Sequence, residues 1–264
     1  MPDPCPWPRV VGVLHLPPLP GSARGGPSSA IIGIIDATLR DAETYRQEGI
    51  ETVIVENYGD LPFVPDRVDA AVTSAMTRVV DAVRRETGLA VGVNVLRNDV
   101  LTAVSIAAMT SARFVRANVY VGAMLTESGI IQGRAHAVQQ ELKRLGASQI
   151  EVWADLDVKH AAPLVARSLE EQADDALERA FAAALIVTGS ATGAPADPDA
   201  VARLRQHTPA APIYVGSGAN PETIPCLPGA TGFIVGTAMK VDGVVTNPVD
   251  PDRVRAVLAA AQAA

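Results

Sequence analysis

Eight short apolar runs rich in β-branched residues punctuate the chain: VVGVLHL (10–16), TVIVEN (52–57), LAVGVNV (89–95), RFVRANV (113–119), IEVWADL (150–156), ALIVTG (184–189), PIYVGSG (212–218) and GFIVGTA (232–238). Each leads into a polar or glycine-bearing turn and then into a stretch of helical period, over 33–48, 66–87, 99–110, 133–145, 168–181, 198–206, 220–227 and 251–263. Runs that are apolar at nearly every position suit a parallel sheet covered on both faces. Eight strand–helix units in succession predict closure into a (β/α)8 TIM barrel, one α/β domain spanning residues 1–264. An open doubly wound sheet is the alternative. The longest irregular stretches, 17–32, 119–132, 157–167 and 239–250, each follow a predicted strand, which places them on the face where barrels build their sites.

The candidate chemistry gathers at those strand ends. Gly216-Ser217-Gly218 and Gly236-Thr237 close the last two strands, where small residues let backbone N–H groups approach a phosphate. Tight turns are the simpler use of the same glycines. Lys240 follows as a third phosphate-binding candidate, because only three of the 22 basic residues are lysines and two of them, Lys159 and Lys240, follow strand ends. A compact ammonium binds phosphate as a point charge.

The fifth run ends in Asp155-Leu156-Asp157-Val158-Lys159-His160, the densest ionisable cluster. Period-two alternation predicts that Asp155 and Asp157 share one side with Trp153, so that two carboxylates converge over the mouth as acid and base. A structural salt bridge among Asp155, Asp157 and Lys159 is the plainer reading, and a divalent metal on Asp155, Asp157 and His160 is another. Glu56, His15 and Lys159, whose titratable ammonium can act as an acid, add proton-transfer candidates. Asn57, Asn94, Arg97, Asn118, Thr188 and Ser190 are the expected substrate-binding residues, since their side chains suit a hydroxyl-rich ligand. Arg116 also stands at a strand end.

Composition narrows the classes. With 48% hydrophobic and 19% charged residues the chain buries a sizeable core, and a net charge of −7 disfavours a general nucleic-acid binder. Aromatics at 4% leave little for base-stacking platforms. Neither a leader pattern nor an apolar run long enough for a bilayer is evident, so a cytoplasmic protein without membrane insertion is expected, forming a homo-oligomer. Cys5 and Cys226 form no ligand or disulfide spacing.

Several long motifs resemble the BtpA/SgcQ family: Val11 through Gly21, Val55-Glu56-Asn57-Tyr58-Gly59-Asp60 on to Pro62-Phe63, and Gly92 through Asp99. So do Ala154 through His160, Val187 through Gly193, Gly216-Ser217-Gly218 with Asn220, and Gly236-Thr237. The resemblance spans nearly the whole chain. It implies a phosphate-binding barrel, and its founding cyanobacterial member implies a photosystem I biogenesis factor. Members beside sugar-metabolism genes in organisms without photosynthesis imply an enzyme instead.

The residues themselves point to an enzyme acting on a small phosphorylated sugar or nucleotide-like substrate, by glycosidic-bond chemistry or isomerisation. The alternatives are a non-catalytic assembly factor and a metal-dependent aldolase or epimerase.

Overall fold

In a computed structural model the described residues are 7–157, 161–189 and 196–264. Every one of the eight apolar runs forms a strand, as the near-continuous hydrophobic pattern predicts. They are β1 (Val10–His15), β2 (Thr52–Glu56), β3 (Ala90–Asn94), β4 (Phe114–Ala117), β7 (Glu151–Leu156), β9 (Ala184–Val187), β10 (Ile213–Gly216) and β11 (Gly232–Val235). All pair in parallel, in the closed order β1-β11-β10-β9-β7-β4-β3-β2. A TIM barrel is therefore present.

Helices α1 (Ile31–Gln47), α2 (Ala70–Thr87), α3 (Val100–Thr110), α4 (Ala135–Arg144), α5 (Leu169–Asp174), α6 (Pro198–His207) and α7 (Pro251–Ala263) pack around it. Their ends follow local chemistry. The Asp69 carboxylate accepts from the Ala71 N–H at the start of α2, and Gly88 ends that helix at φ 72°. Ser168 and Glu171 cap α5 reciprocally, after which residues Asp175–Arg179 widen into a π-helical turn.

Two expectations differ from the structure. Residues 220–227 form only a three-residue 3-10 turn, Ile224–Cys226, because Pro225 lacks the N–H that an α-helix needs there and its ring crowds the preceding turn. The stretches 119–132 and 157–167 are not wholly irregular either. They carry β5 (Ala123–Thr126), β6 (Gly129–Gln132) and β8 (Ala161–Pro163), a small antiparallel sheet in the order β6-β5-β8.

Strand alternation fills the barrel in layers. Val13, Ile54, Phe114, Trp153, Ile186, Tyr214 and Ile234 form one apolar cluster inside. Trp153 lies between Phe114, at 3.9 Å between ring centroids, and Tyr214, at 4.4 Å. Gly92 makes this possible, since a Cβ there would come within 2.2 Å of the Phe114 ring. Two residues further along the same strands the inward positions turn polar: His15, Glu56, Asn94, Arg116, Asp155, Thr188, Gly216 and Gly236. This second layer is the floor of the C-terminal mouth. No helix among the described residues is long and apolar enough to cross a membrane.

Candidate active site

One wall of the mouth is a buried polar network centred on Arg116. Its Nε and Nη2 donate to the two oxygens of Asp155, at 2.8 and 2.9 Å, in the bidentate geometry that suits a guanidinium and a carboxylate. Its Nη1 lies 3.9 Å from Oε2 of Glu56. Asn118 donates to Asp155 at 2.9 Å, and Asn94 donates to Asn118 at 2.9 Å and to the Arg116 carbonyl at 3.3 Å. The Oδ1 of Asn94 is buried and has no hydrogen-bond partner among the described residues. All five side chains are buried.

Such burial opposes the Arg116 charge, but Asp155 and Glu56 reverse that effect and raise its pKa above the ordinary arginine value. Two carboxylates thus face one guanidinium. Asp155 is held tightly as the partner of Arg116, while Glu56 is only loosely paired.

The other wall is backbone. A cavity of about 260 Å³ is bounded by His15, Glu56 and Arg116 on one side and by Ser217, Gly218, Asn220, Gly236 and Thr237 on the other. Ser217 and Gly218 both take positive φ, 49° and 75°, which turns the chain sharply off β10. Gly236 is required by packing, since a Cβ there would fall 2.4 Å from Cε1 of His15. The imidazole sits across the end of β11 and meets the Tyr58 ring edge-on at 5.1 Å. The structure thus brings His15, Glu56, Ser217, Gly218, Gly236 and Thr237 to one cavity, with Gly216 beneath it.

Several expected site residues do other work. Asp157 does not join Asp155: β7 ends at Leu156 and Asp157 flips to φ 49°, so alternation stops one residue short. Its exposed carboxylate accepts from Gln172 at 2.9 Å, and its carbonyl accepts from the Thr188 hydroxyl at 3.2 Å. Asn57 ties loop to loop, with its amide paired to Asp60 and to both backbone groups of Leu96. Arg97 faces Glu127 of the β5–β6 hairpin, 3.4 Å away. Lys240 is buried and salt-bridged to Asp41 of α1, outside the mouth cavity. Lys159, His160 and Ser190 lie outside the described residues.

Of the candidate metal set Asp155, Asp157 and His160, the last lies outside the described residues. Asp155 is taken by a guanidinium, Asp157 by an amide, and no cluster of three ligating side chains occurs among the described residues. The residue missed as a functional centre is Arg116. Its signal is positional, because it follows the inward Phe114 by two residues on β4 as Asp155 follows Trp153 by two on β7.

The BtpA family model matches residues 8–263. An uncharacterized protein of Thermococcus kodakarensis is 43% identical over 93% of this chain and 92% of its own. The photosystem I biogenesis protein BtpA of Synechocystis is 38% identical over 95% of this chain and 87% of its own.

Among solved structures, the thiamine phosphate pyrophosphorylase of Pyrococcus furiosus superposes with a TM-score of 0.56 at 13% identity, covering 97% of this chain and 96% of the other. The phosphoribosylanthranilate isomerase of the same organism gives 0.56 at 9% identity, covering 97% and 98%. At those identities the likeness shows the barrel fold and nothing finer. The matched family model and the two relatives, each aligned over most of both chains, establish that this chain belongs to the BtpA family.

Proposed function

We propose that the mouth is the active site of an enzyme acting on a phosphorylated sugar or nucleotide-like substrate, by glycosidic-bond chemistry or by sugar isomerisation. The observation that carries this reading is the pairing of two unlike walls in one cavity: backbone turns on β10 and β11 opposite a carboxylate-rich network on β2, β4 and β7.

The turns at Ser217-Gly218 and Gly236-Thr237 hold the phosphate. Glu56, buried on the cavity wall and only loosely tied to Arg116, transfers a proton or faces a developing cation on the sugar. His15 is the second proton carrier, and Asp155 fixes the Arg116 guanidinium. The superposed thiamine phosphate pyrophosphorylase and phosphoribosylanthranilate isomerase are consistent with such a site, without specifying its reaction.

The test is a screen of sugar phosphates and nucleoside 5′-phosphates by thermal shift, followed by product analysis on the compounds that bind. Glu56→Gln should fold and bind as the wild type does yet turn over about 10²–10⁴-fold more slowly. Absence of binding by every phosphorylated compound would overturn the reading.

A second reading has one observation behind it. Leu125, Ile130, Leu164 and Val165 are exposed on and beside the small antiparallel sheet, a patch suited to a protein partner. If the chain acts through a partner, in line with the biogenesis role named for the Synechocystis relative, Glu56→Gln would leave function untouched, whereas Ile130→Glu would abolish partner capture.

A further inference from the structure

A second and larger cleft, of about 600 Å³, opens beside the mouth between α1 and the loops that follow β1, β2 and β11. Its walls carry flat apolar surfaces from Pro17, Pro18, Tyr58, Leu61 and Pro248. Its floor is the Lys240–Asp41 ion pair, whose charges cancel, and the second Asp41 oxygen accepts from the Val249 N–H. At its rim stand Arg24 and Arg40, both exposed and neither with a salt-bridge partner among the described residues. The cleft is therefore apolar along its walls and positive at its edge, although the protein as a whole is acidic.

This cleft and the mouth share one residue, His15. The imidazole is the partition: Gly236 of the mouth packs against one edge, and Tyr58 of the cleft touches its ring. A ligand bound in both chambers must pass His15, the proton carrier assigned above.

Resting on the proposed phosphosugar site, we infer that the substrate has two parts: a sugar phosphate in the mouth, joined beside His15 to a flat ring bearing an acidic group that occupies the cleft. The ring packs against the proline and tyrosine faces, and the acid meets Arg24 and Arg40. The arrangement follows the common division of a ligand site into apolar walls with a few placed polar groups. It also assigns the larger cavity a use that a bare sugar phosphate leaves unexplained.

Binding of three probes by calorimetry tests this: ribose 5-phosphate, uridine 5′-monophosphate, and orotidine 5′-monophosphate, whose ring carries a carboxylate. The wild type should bind orotidine 5′-monophosphate at least about tenfold tighter than ribose 5-phosphate. Ala37→Trp, on the exposed side of α1 where Ala37 lines the cleft, should erase that advantage while leaving ribose 5-phosphate binding unchanged. The double variant Arg24→Ala/Arg40→Ala should bring orotidine 5′-monophosphate down to the level of uridine 5′-monophosphate.

If ribose 5-phosphate binds but the orotidine compound gains nothing, or if Ala37→Trp changes nothing, the two-part substrate is wrong and the phosphate site stands. If ribose 5-phosphate itself fails to bind, the phosphate site falls and this inference falls with it.

Discussion

Two layers of the barrel interior, two residues apart on the same strands, behave as different materials. The lower layer is a stack of Phe114, Trp153 and Tyr214 packed by apolar side chains. The upper layer holds Glu56, Arg116 and Asp155, joined by ion pairs and hydrogen bonds and open on one side to a cavity. On β7 the step from one to the other is Trp153 to Asp155, and on β4 it is Phe114 to Arg116. The lower layer gains free energy from burial and dispersion. Within the upper layer, charges are taken from water, which costs free energy unless each group finds a partner. Stability therefore resides mainly below, and the chemistry proposed for the mouth draws on the layer above.

The largest expected effect breaks the upper layer. Arg116→Met leaves two buried carboxylates without their cation and should cost about 3–5 kcal/mol, measured by denaturant unfolding. Adding Asp155→Leu to that variant should recover part of the loss, because the remaining charge imbalance shrinks. A double variant as unstable as the single one would show that the network contributes through shape and not through charge.

A smaller effect tests the lower layer. Gly92→Ala drives a methyl into the Phe114 ring and should cost about 1–3 kcal/mol through displacement of the aromatic stack. Its signature is a changed Trp153 environment in fluorescence or near-UV circular dichroism, with sugar phosphate binding retained.

The smallest concerns the loops that carry the rim. Asp60 accepts from the Leu19 N–H and from Asn57, but burial dominates and raises its pKa above the usual aspartate value. A raised folded-state pKa means that its contribution is fully present below the ordinary aspartate pKa and is lost as pH rises through the raised value. Wild type should therefore lose stability relative to Asp60→Asn as pH increases across that window, measured as the difference in melting temperature. A pH-independent difference would contradict the assignment.

Much of this was legible in the chain because strand alternation is a geometric rule. Once β2 and β7 are placed, Glu56 and Asp155 must share the side of Ile54 and Trp153, and the glycines of β10 and β11 fall at the strand ends. The rule fails where the strand fails. Asp157 follows the last residue of β7 and adopts a left-handed backbone, so its side chain leaves the mouth. Asn57 and Lys240 also stand just beyond strands, where loop packing decides direction, and both were captured by neighbouring loops or helices.

The β5–β6 hairpin was hidden by its shortness, four residues per strand around Glu127-Ser128, with a third strand far away in sequence. The centrality of Arg116 lies in a tertiary relation. Its role depends on Asp155, 39 positions later, and no local pattern encodes that pairing.

We propose a phosphorylated sugar as the ligand of the cavity between the two walls. The most direct measurement is the melting temperature under titration with ribose 5-phosphate, for the wild type and for Thr237→Glu, which sets a carboxylate into the turn assigned to the phosphate. A phosphate site in that turn requires a concentration-dependent rise for the wild type, by mass action on the native state, and none for Thr237→Glu. A wild type that does not respond, or an undiminished rise in Thr237→Glu, would contradict it.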